Sequence, residues 1–318
     1  MWAASGVVGA CPAVLLAAFA AAVGAAPPKD GAPTAPPRYA DGDGRSEVVA
    51  QAARVGARRR SGVAALQVAL RAHGLYAATV DGVRGPLTRT GVRRFQARRG
   101  LAVDGVPGPR TRAALGWRGR PRLGARVLRS GVRGWDVAAL QFLLATRGFP
   151  SGPIDGVLGA RSDSALRRYQ AWAGLGADGL AGPATLSALR RPPARSPLRF
   201  LAPIGGTPTD RFGPRGDTMH TGVDYPAPAG AGVVAAGRGC VQSAGYDAGG
   251  YGNLVVIAHR AGMTSWYAHL SRISVRPGQC LVAGNSVGTV GSTGNSTGPH
   301  LHFELRVSGA AIDPLSGL

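Results

Sequence analysis

The sequence predicts a multidomain α plus β chain: two small three-helix domains in tandem, followed by a mostly antiparallel β-sheet domain. Three observations predict it. Residues 61–190 hold an ungapped internal repeat with an offset of 74 residues, and each copy carries helical periodicity. Beyond residue 197, short runs rich in Val, Leu and Tyr alternate with glycine turns. The length, 318 residues, leaves room for two to three domains at the usual size of about 100–150 residues.

The repeat is carried by four pairs of segments in the same order. VAALQ at 63–67 returns at 137–141, and DGVRG at 81–85 returns as DGVLG at 155–159. FQARRGLAVDG at 95–105 matches YQAWAGLGADG at 169–179, and GPRTRAAL at 108–115 matches GPATLSAL at 182–189. Ordered, ungapped matches of this kind mark a duplicated domain. In the first copy, Val63, Leu66 and Leu70 recur at helical spacing between the N-cap candidate Ser61 and the stop Gly74. A second helix opens at Pro86, carries Val92 and Phe95, and ends at Gly100; a third opens at Pro109 and carries Ala113 and Leu115. Asp81-Gly82 and Asp104-Gly105, repeated as Asp155-Gly156 and Asp178-Gly179, are turn dipeptides that set the helix entries. The copies are expected over 56–118 and 128–191, with a proline-broken linker at 192–198 and the β-domain over 199–318.

Residues 13–26, AVLLAAFAAAVGAA, form an apolar run before PPKDGAPTAPP, so 1–26 reads as a secretory signal, with an uncleaved membrane anchor as the alternative. The Pro- and Ala-rich stretch 27–55 reads as a flexible tether. The chain is therefore expected to be exported. Loss of the signal would remove Cys11 and leave Cys240 and Cys280, an even pair that argues for a disulfide; two buried free thiols are the other reading.

The net charge of +21 sits in the middle of the chain, where residues 51–199 carry 27 arginines against six aspartates. Attraction to a polyanion and drift of a lysine-poor composition account for it about equally well. The arginines have no interleaved aromatic series, so no nucleic-acid partner is expected.

Four of the six histidines make sense together. His220-Thr-Gly-Val-Asp224 places imidazole and carboxylate, both good zinc ligands, within reach of one ion across a bend. His300-Leu-His302 opens the strand-like HLHFELRV, so His300, His302, Glu304 and Arg306 share one face and Leu301, Phe303, Leu305 and Val307 the other. His269 follows in SWYAHLS, whereas His259 and His73 read as structural.

In order and spacing, RFGPR at 211–215, HTGVD at 220–224, GGYGNLVVIAH at 249–259, SWYAHLS at 265–271 and GSTGNSTGPHLHFELR at 291–306 resemble the lysostaphin/LytM family of zinc peptidases. The resemblance implies one Zn2+ held by His220, Asp224 and His302, with His269 and His300 as the catalytic histidines that take a proton from water and steady the transition state. The LQ…DG…FQ…GL…DG…T…L pattern of each repeat resembles the three-helix peptidoglycan-binding domain of many wall hydrolases, and its matching residues are core and turn residues. Together they imply a monomeric, wall-associated endopeptidase acting on bacterial peptidoglycan. A catalytically inactive wall-binding or amidase-activating protein on the same fold is the alternative. Tyr225 and Tyr251 are further candidates for substrate contact.

Overall fold

The computed structural model describes residues 44–318, with side chains from residue 55 onward. The expected signal over 1–26 and the start of the tether lie outside the described residues. Among the described residues no helix is long and apolar enough to cross a membrane.

Six helices come first: α1 Gly44–Ala72, α2 Pro86–Arg98, α3 Pro109–Ala114, α4 Trp135–Thr146, α5 Ala160–Trp172 and α6 Pro183–Leu189. α2, α3 and α6 open on the prolines that the sequence marks, where a missing N–H costs nothing. One expectation is corrected. Residues 44–55, read as tether, are the first turns of α1, so Ser61 lies inside the helix and bonds back to the Arg58 carbonyl at 3.2 Å instead of capping. The run GRSEVVAQAARVGARRR is rich in Ala and Arg, which favour the helix. In the second copy, Gly131 and Gly134 replace Ala57 and Arg60 at the equivalent positions, and α4 starts only at Trp135.

The repeated residues lock the turns. Gln67 donates through Nε2 to Asp81 Oδ1 at 2.7 Å and to Thr88 Oγ1 at 3.2 Å, while its Oε1 accepts the Gly82 N–H at 3.0 Å. Gln96 holds Asp104, Gly105 and Thr111 in the same way. In the second copy Gln141 holds Asp155, Gly156 and Ser162, and Gln170 holds Asp178, Gly179 and Thr185. All four glutamines are buried, so each amide needs these partners. The residues that define the repeat are thus occupied in holding it together.

α4 is buried all round because it serves two cores. Ala138, Ala139 and Phe142 pack into the core of the first copy, while Leu140, Leu143 and Leu144 join a cluster that continues into the β-domain. Trp172 donates through Nε1 to the Val307 carbonyl at 3.2 Å, and Gly148 lies against Ala311. A Cβ on Gly148, whose φ is +83°, would meet the Ala311 carbonyl oxygen at 2.2 Å. Its equivalent, Gly74 at φ +68°, has nothing within 4 Å. Gly74→Ala should therefore cost only left-handed strain, about 1 kcal/mol, whereas Gly148→Ala should cost about 2–4 kcal/mol by adding a clash with backbone. Denaturant midpoints of the two variants read the difference directly.

The β-domain has twelve strands. They are β1 Gly213–Arg215, β2 Thr218–His220, β3 Val223–Pro226, β4 Gly232–Val234, β5 Gly239–Asp247 and β6 Gly252–Ala258. β7 Met263–Ala268, β8 Leu270–Ile273, β9 Cys280–Leu281, β10 Ser286–Val290, β11 His300–Val307 and β12 Ala310–Ile312 follow. The main sheet runs β12-β11-β7-β6-β5-β9, with β3 also paired to β11; β4-β10-β8 form a second sheet and β1-β2 a hairpin. Every paired strand is antiparallel. Tyr267 and Phe303, both fully buried, anchor the core between these layers.

Cys240 and Cys280 form a disulfide between directly opposed residues of β5 and β9, closing a loop with a sequence separation of 40. The buried-thiol alternative is set aside. In the chain-entropy model such a loop contributes about 4 kcal/mol. Paired Cys→Ser substitution should lower stability by about that amount, measured against the oxidised protein in urea.

Candidate metal centre

The site is assembled on β11. Strand alternation sends Leu301, Phe303 and Leu305 into the core and leaves His300, His302, Glu304 and Arg306 on the opposite face. The β3–β11 register sets Asp224 directly across from His302, and on the other side His302 pairs with Ala268, the residue before His269. His220 ends β2 and reaches the same point across Thr221-Gly222. Gly222 passes close to β11, where a Cβ would meet the Phe303 carbonyl at 2.3 Å and His302 Cε1 at 2.9 Å. The bend between His220 and Asp224 therefore requires glycine for space.

Three donor atoms converge. His220 Nε2 lies 3.1 Å from Asp224 Oδ1 and 3.1 Å from His302 Nδ1, and His302 Nδ1 lies 2.8 Å from Asp224 Oδ1. Among the described residues they are the group able to hold a metal ion. Ligands at about 2.0–2.1 Å from a zinc ion stand about 3.3 Å apart, so the spacing of the trio suits one such ion.

The neighbours fix which nitrogen faces inward. His220 Nδ1 donates to the Arg211 carbonyl at 3.0 Å, and His302 Nε2 donates to Glu304 Oε1 at 3.0 Å. In the neutral rings the lone pairs are then on His220 Nε2 and His302 Nδ1, the two atoms that converge. His269 Nδ1 donates to the Thr293 carbonyl at 2.8 Å, and His300 Nδ1 to the Gly298 carbonyl at 2.8 Å. Both rings keep Nε2 free, and His300 Nε2 stands 3.8 Å from Asp224 Oδ1. The His269 and His300 rings are 4.8 Å apart. His269 has φ +61°, a sparsely populated conformation for a residue with a side chain, and its N–H is pinned to the Tyr251 carbonyl at 2.9 Å.

Charge is arranged around this centre. Burial alone would raise the Asp224 carboxyl, yet hydrogen bonds from His220 and His302 hold it far below the ordinary carboxylate range. Its Oδ2 is bonded by Arg215 at 2.8 Å. Burial pulls His302 down, but Asp224 and Glu304 outweigh it and raise the ring to about 9. The cluster thus favours positive charge at the point where the donors meet. Burial pulls His269 below its ordinary value against the opposing bond to the Thr293 carbonyl, and nearby His300 and His302 add to that lowering.

Glu304 is the residue whose part sequence reasoning missed. It is fully buried, and burial would raise it, but Arg306 and His302 hold it at about 2. Its carboxylate accepts from His302, from Tyr251 Oη at 2.9 Å, from Arg306 Nε at 2.6 Å and from Thr221. Arg306 lies 3.8 Å over the Trp266 ring. One expectation is corrected: Tyr225 is buried in the core at 2% exposure, with no surface for substrate. Tyr251 keeps part of its surface exposed while its hydroxyl is engaged by Glu304 and Arg306. His259, bonded to the Arg238 carbonyl and to Ser265, and His73, packed on Phe95, lie outside the cluster.

The β1–β2 hairpin that delivers His220 is held from outside the β-domain. Val80 and Ile154, equivalent residues of the two repeats, donate their N–H groups to the consecutive carbonyls of Gly216 (2.7 Å) and Asp217 (2.8 Å) at the hairpin tip. Arg71 adds an ion pair to Asp217 at 3.3 Å. The duplicated domain therefore braces a strand of the metal cluster.

Residues 218–314 match the model of peptidase family M23, and residues 59–115 and 133–189 each match that of the peptidoglycan binding domain. The C-terminal domain is an M23 peptidase domain. Two peptidoglycan binding domains precede it. The M23 region is 48% identical over 98 residues to a DD-carboxypeptidase/endopeptidase of Neisseria meningitidis serogroup B, covering 31% of this chain and 22% of that protein. It is 37% identical to the peptidoglycan DD-endopeptidase ShyC of Vibrio cholerae, covering 40% and 30%. It is also 38% identical to the murein hydrolase activator NlpD of Salmonella dublin, covering 36% and 29%. The chain spans between about a fifth and a third of the length of these curated relatives.

Proposed function

We propose that this chain is an exported zinc metalloendopeptidase that hydrolyses peptide bonds of bacterial peptidoglycan, with its tandem helical domains on the wall. The observation that carries the reading is the convergence of His220 Nε2, Asp224 Oδ1 and His302 Nδ1 beside two further imidazoles with free Nε2 atoms. The donor set fits zinc, and Glu304 behind His302 supplies the carboxylate partner common to zinc-binding histidines. When bound, zinc supplies a Lewis acid that polarises the scissile carbonyl and brings the pKa of water to about 7. The chain's own residues do the rest. His269 or His300 accepts the proton of the attacking water at Nε2, their Nδ1 atoms being committed to carbonyls. The second imidazole, in its protonated form, donates from Nε2 to the carbonyl oxygen as charge grows on it. The accepted proton then passes to the leaving amine, so one water is consumed and one carboxyl and one amine appear. One relative is named a peptidoglycan DD-endopeptidase and another a DD-carboxypeptidase/endopeptidase, names that support a bond in the cross-link or in the stem peptide.

The likeness to a murein hydrolase activator supports a second reading, in which the domain binds the wall and stimulates another hydrolase. All five positions of the zinc and histidine set being filled favours the enzyme. Purified peptidoglycan incubated with this protein alone should release new amino groups, lose that release on chelation and regain it with zinc. Release only after a second hydrolase is added would establish the activator instead.

A further inference from the structure

The two repeats meet across a cleft of about 730 Å³. Its inner wall is apolar, formed by Leu66 of α1 and by Trp135, Ala139 and Leu143 of α4. Its lining also includes Arg59, Arg60, Arg84, Arg112, Arg122 and Arg190. Among the described residues none of these six guanidiniums has a carboxylate within ion-pair distance. Arg60, Arg84 and Arg112 reach only carbonyl oxygens, of Asp81, Gly105 and Pro107. Burial and the adjacent Arg122 pull Arg112 below its ordinary value. The aspartates of the two repeats are spent elsewhere, on the turn-locking glutamines or on Arg126 and Arg167.

Like charges gathered around an apolar hollow repel, and a bound anion relieves that repulsion. The guanidinium fork matches planar and tetrahedral oxyanions, and phosphate brings up to two charges and three acceptor oxygens where a carboxylate brings one charge. The apolar wall gains only from an apolar group. A single-stranded nucleic acid would call for a basic groove with stacking aromatics, whereas here the arginines surround one hollow with a single indole. We propose that the cleft between the repeats binds a phosphorylated amphiphile, its phosphate on the arginines and its aliphatic part against Leu66, Ala139, Leu143 and Trp135. The site is separate from the metal centre and does not depend on the peptidase reading.

The test is calorimetric titration of the full chain with monomeric dihexanoyl phosphatidic acid, dihexanoyl phosphatidylcholine, hexanoate and inorganic phosphate. The phosphatidic acid should bind, and the other three should bind roughly tenfold or more weaker. Arg112→Ala with Arg122→Ala should weaken it by roughly tenfold or more. Val83→Glu, at a half-exposed lining position, should do the same by placing a carboxylate among the arginines without disturbing the core. Neither variant should change hydrolysis of a soluble peptide. Equal binding of phosphate alone would overturn the apolar half of the proposal, and equal binding of hexanoate the phosphate half. Undiminished binding in both variants would remove the site from the cleft.

Discussion

Replacing His300 with alanine should lower the rate of wall-peptide hydrolysis by about 10²–10⁴-fold while leaving zinc on the protein. His300 stands beside the donor trio without belonging to it. Its Nε2 is 3.8 Å from Asp224 Oδ1, and its Nδ1 is held by the Gly298 carbonyl. The loss should therefore fall on kcat, with metal content and fold untouched. His302→Ala removes a donor and should lose both the metal and the rate. The comparison is made by steady-state kinetics on a soluble cross-linked peptide, with zinc quantified in the same samples. Zinc lost from the His300 variant would make that residue a ligand, and an unchanged rate would remove it from the chemistry.

Glu304→Gln is expected to act in two separable ways. The amide offers His302 Nε2 a weaker partner than the carboxylate, and loss of such a partner typically lowers metal affinity by about 10–100-fold. It also strands the Arg306 guanidinium, whose partners are Glu304, the Tyr251 hydroxyl and the Trp266 face. Removing one member of a buried ion pair costs about 3–5 kcal/mol. Adding Arg306→Met should restore part of the stability and none of the zinc affinity. Chelator competition reads the first effect and chemical denaturation the second. Recovery of zinc affinity in the double variant would mean that Glu304 serves the fold alone.

The parts of this molecule that were legible in the sequence are those with a short-range physical signature. The 74-residue duplication, the prolines opening α2 and α3 and the period-two face of HLHFELRV follow from local geometry. The metal cluster became legible only through the joint order of its motifs, because Asp224 meets His302 by β3–β11 pairing across 78 residues. Alternation placed Glu304 and Arg306 on the polar face but not that Tyr251 and Trp266 would cover it. Nothing local announces the left-handed backbone of His269. The tandem domains were harder still. Gly74 and Gly148 are the same residue of one duplicated pattern, yet only Gly148 seats against Ala311. The docking of the second copy, and the grip of Val80 and Ile154 on the β1–β2 tip, belong to long-range contacts that a repeat cannot encode in its own period.

The most direct test of the metal centre is the zinc content of the purified full chain, measured by inductively coupled plasma mass spectrometry beside His220→Ala, Asp224→Ala and His302→Ala. One zinc per chain in the wild type, falling to near zero in each variant with the fold intact, is the predicted result. Wild-type protein without zinc after loading, or variants that retain a full equivalent, would contradict the His220–Asp224–His302 centre.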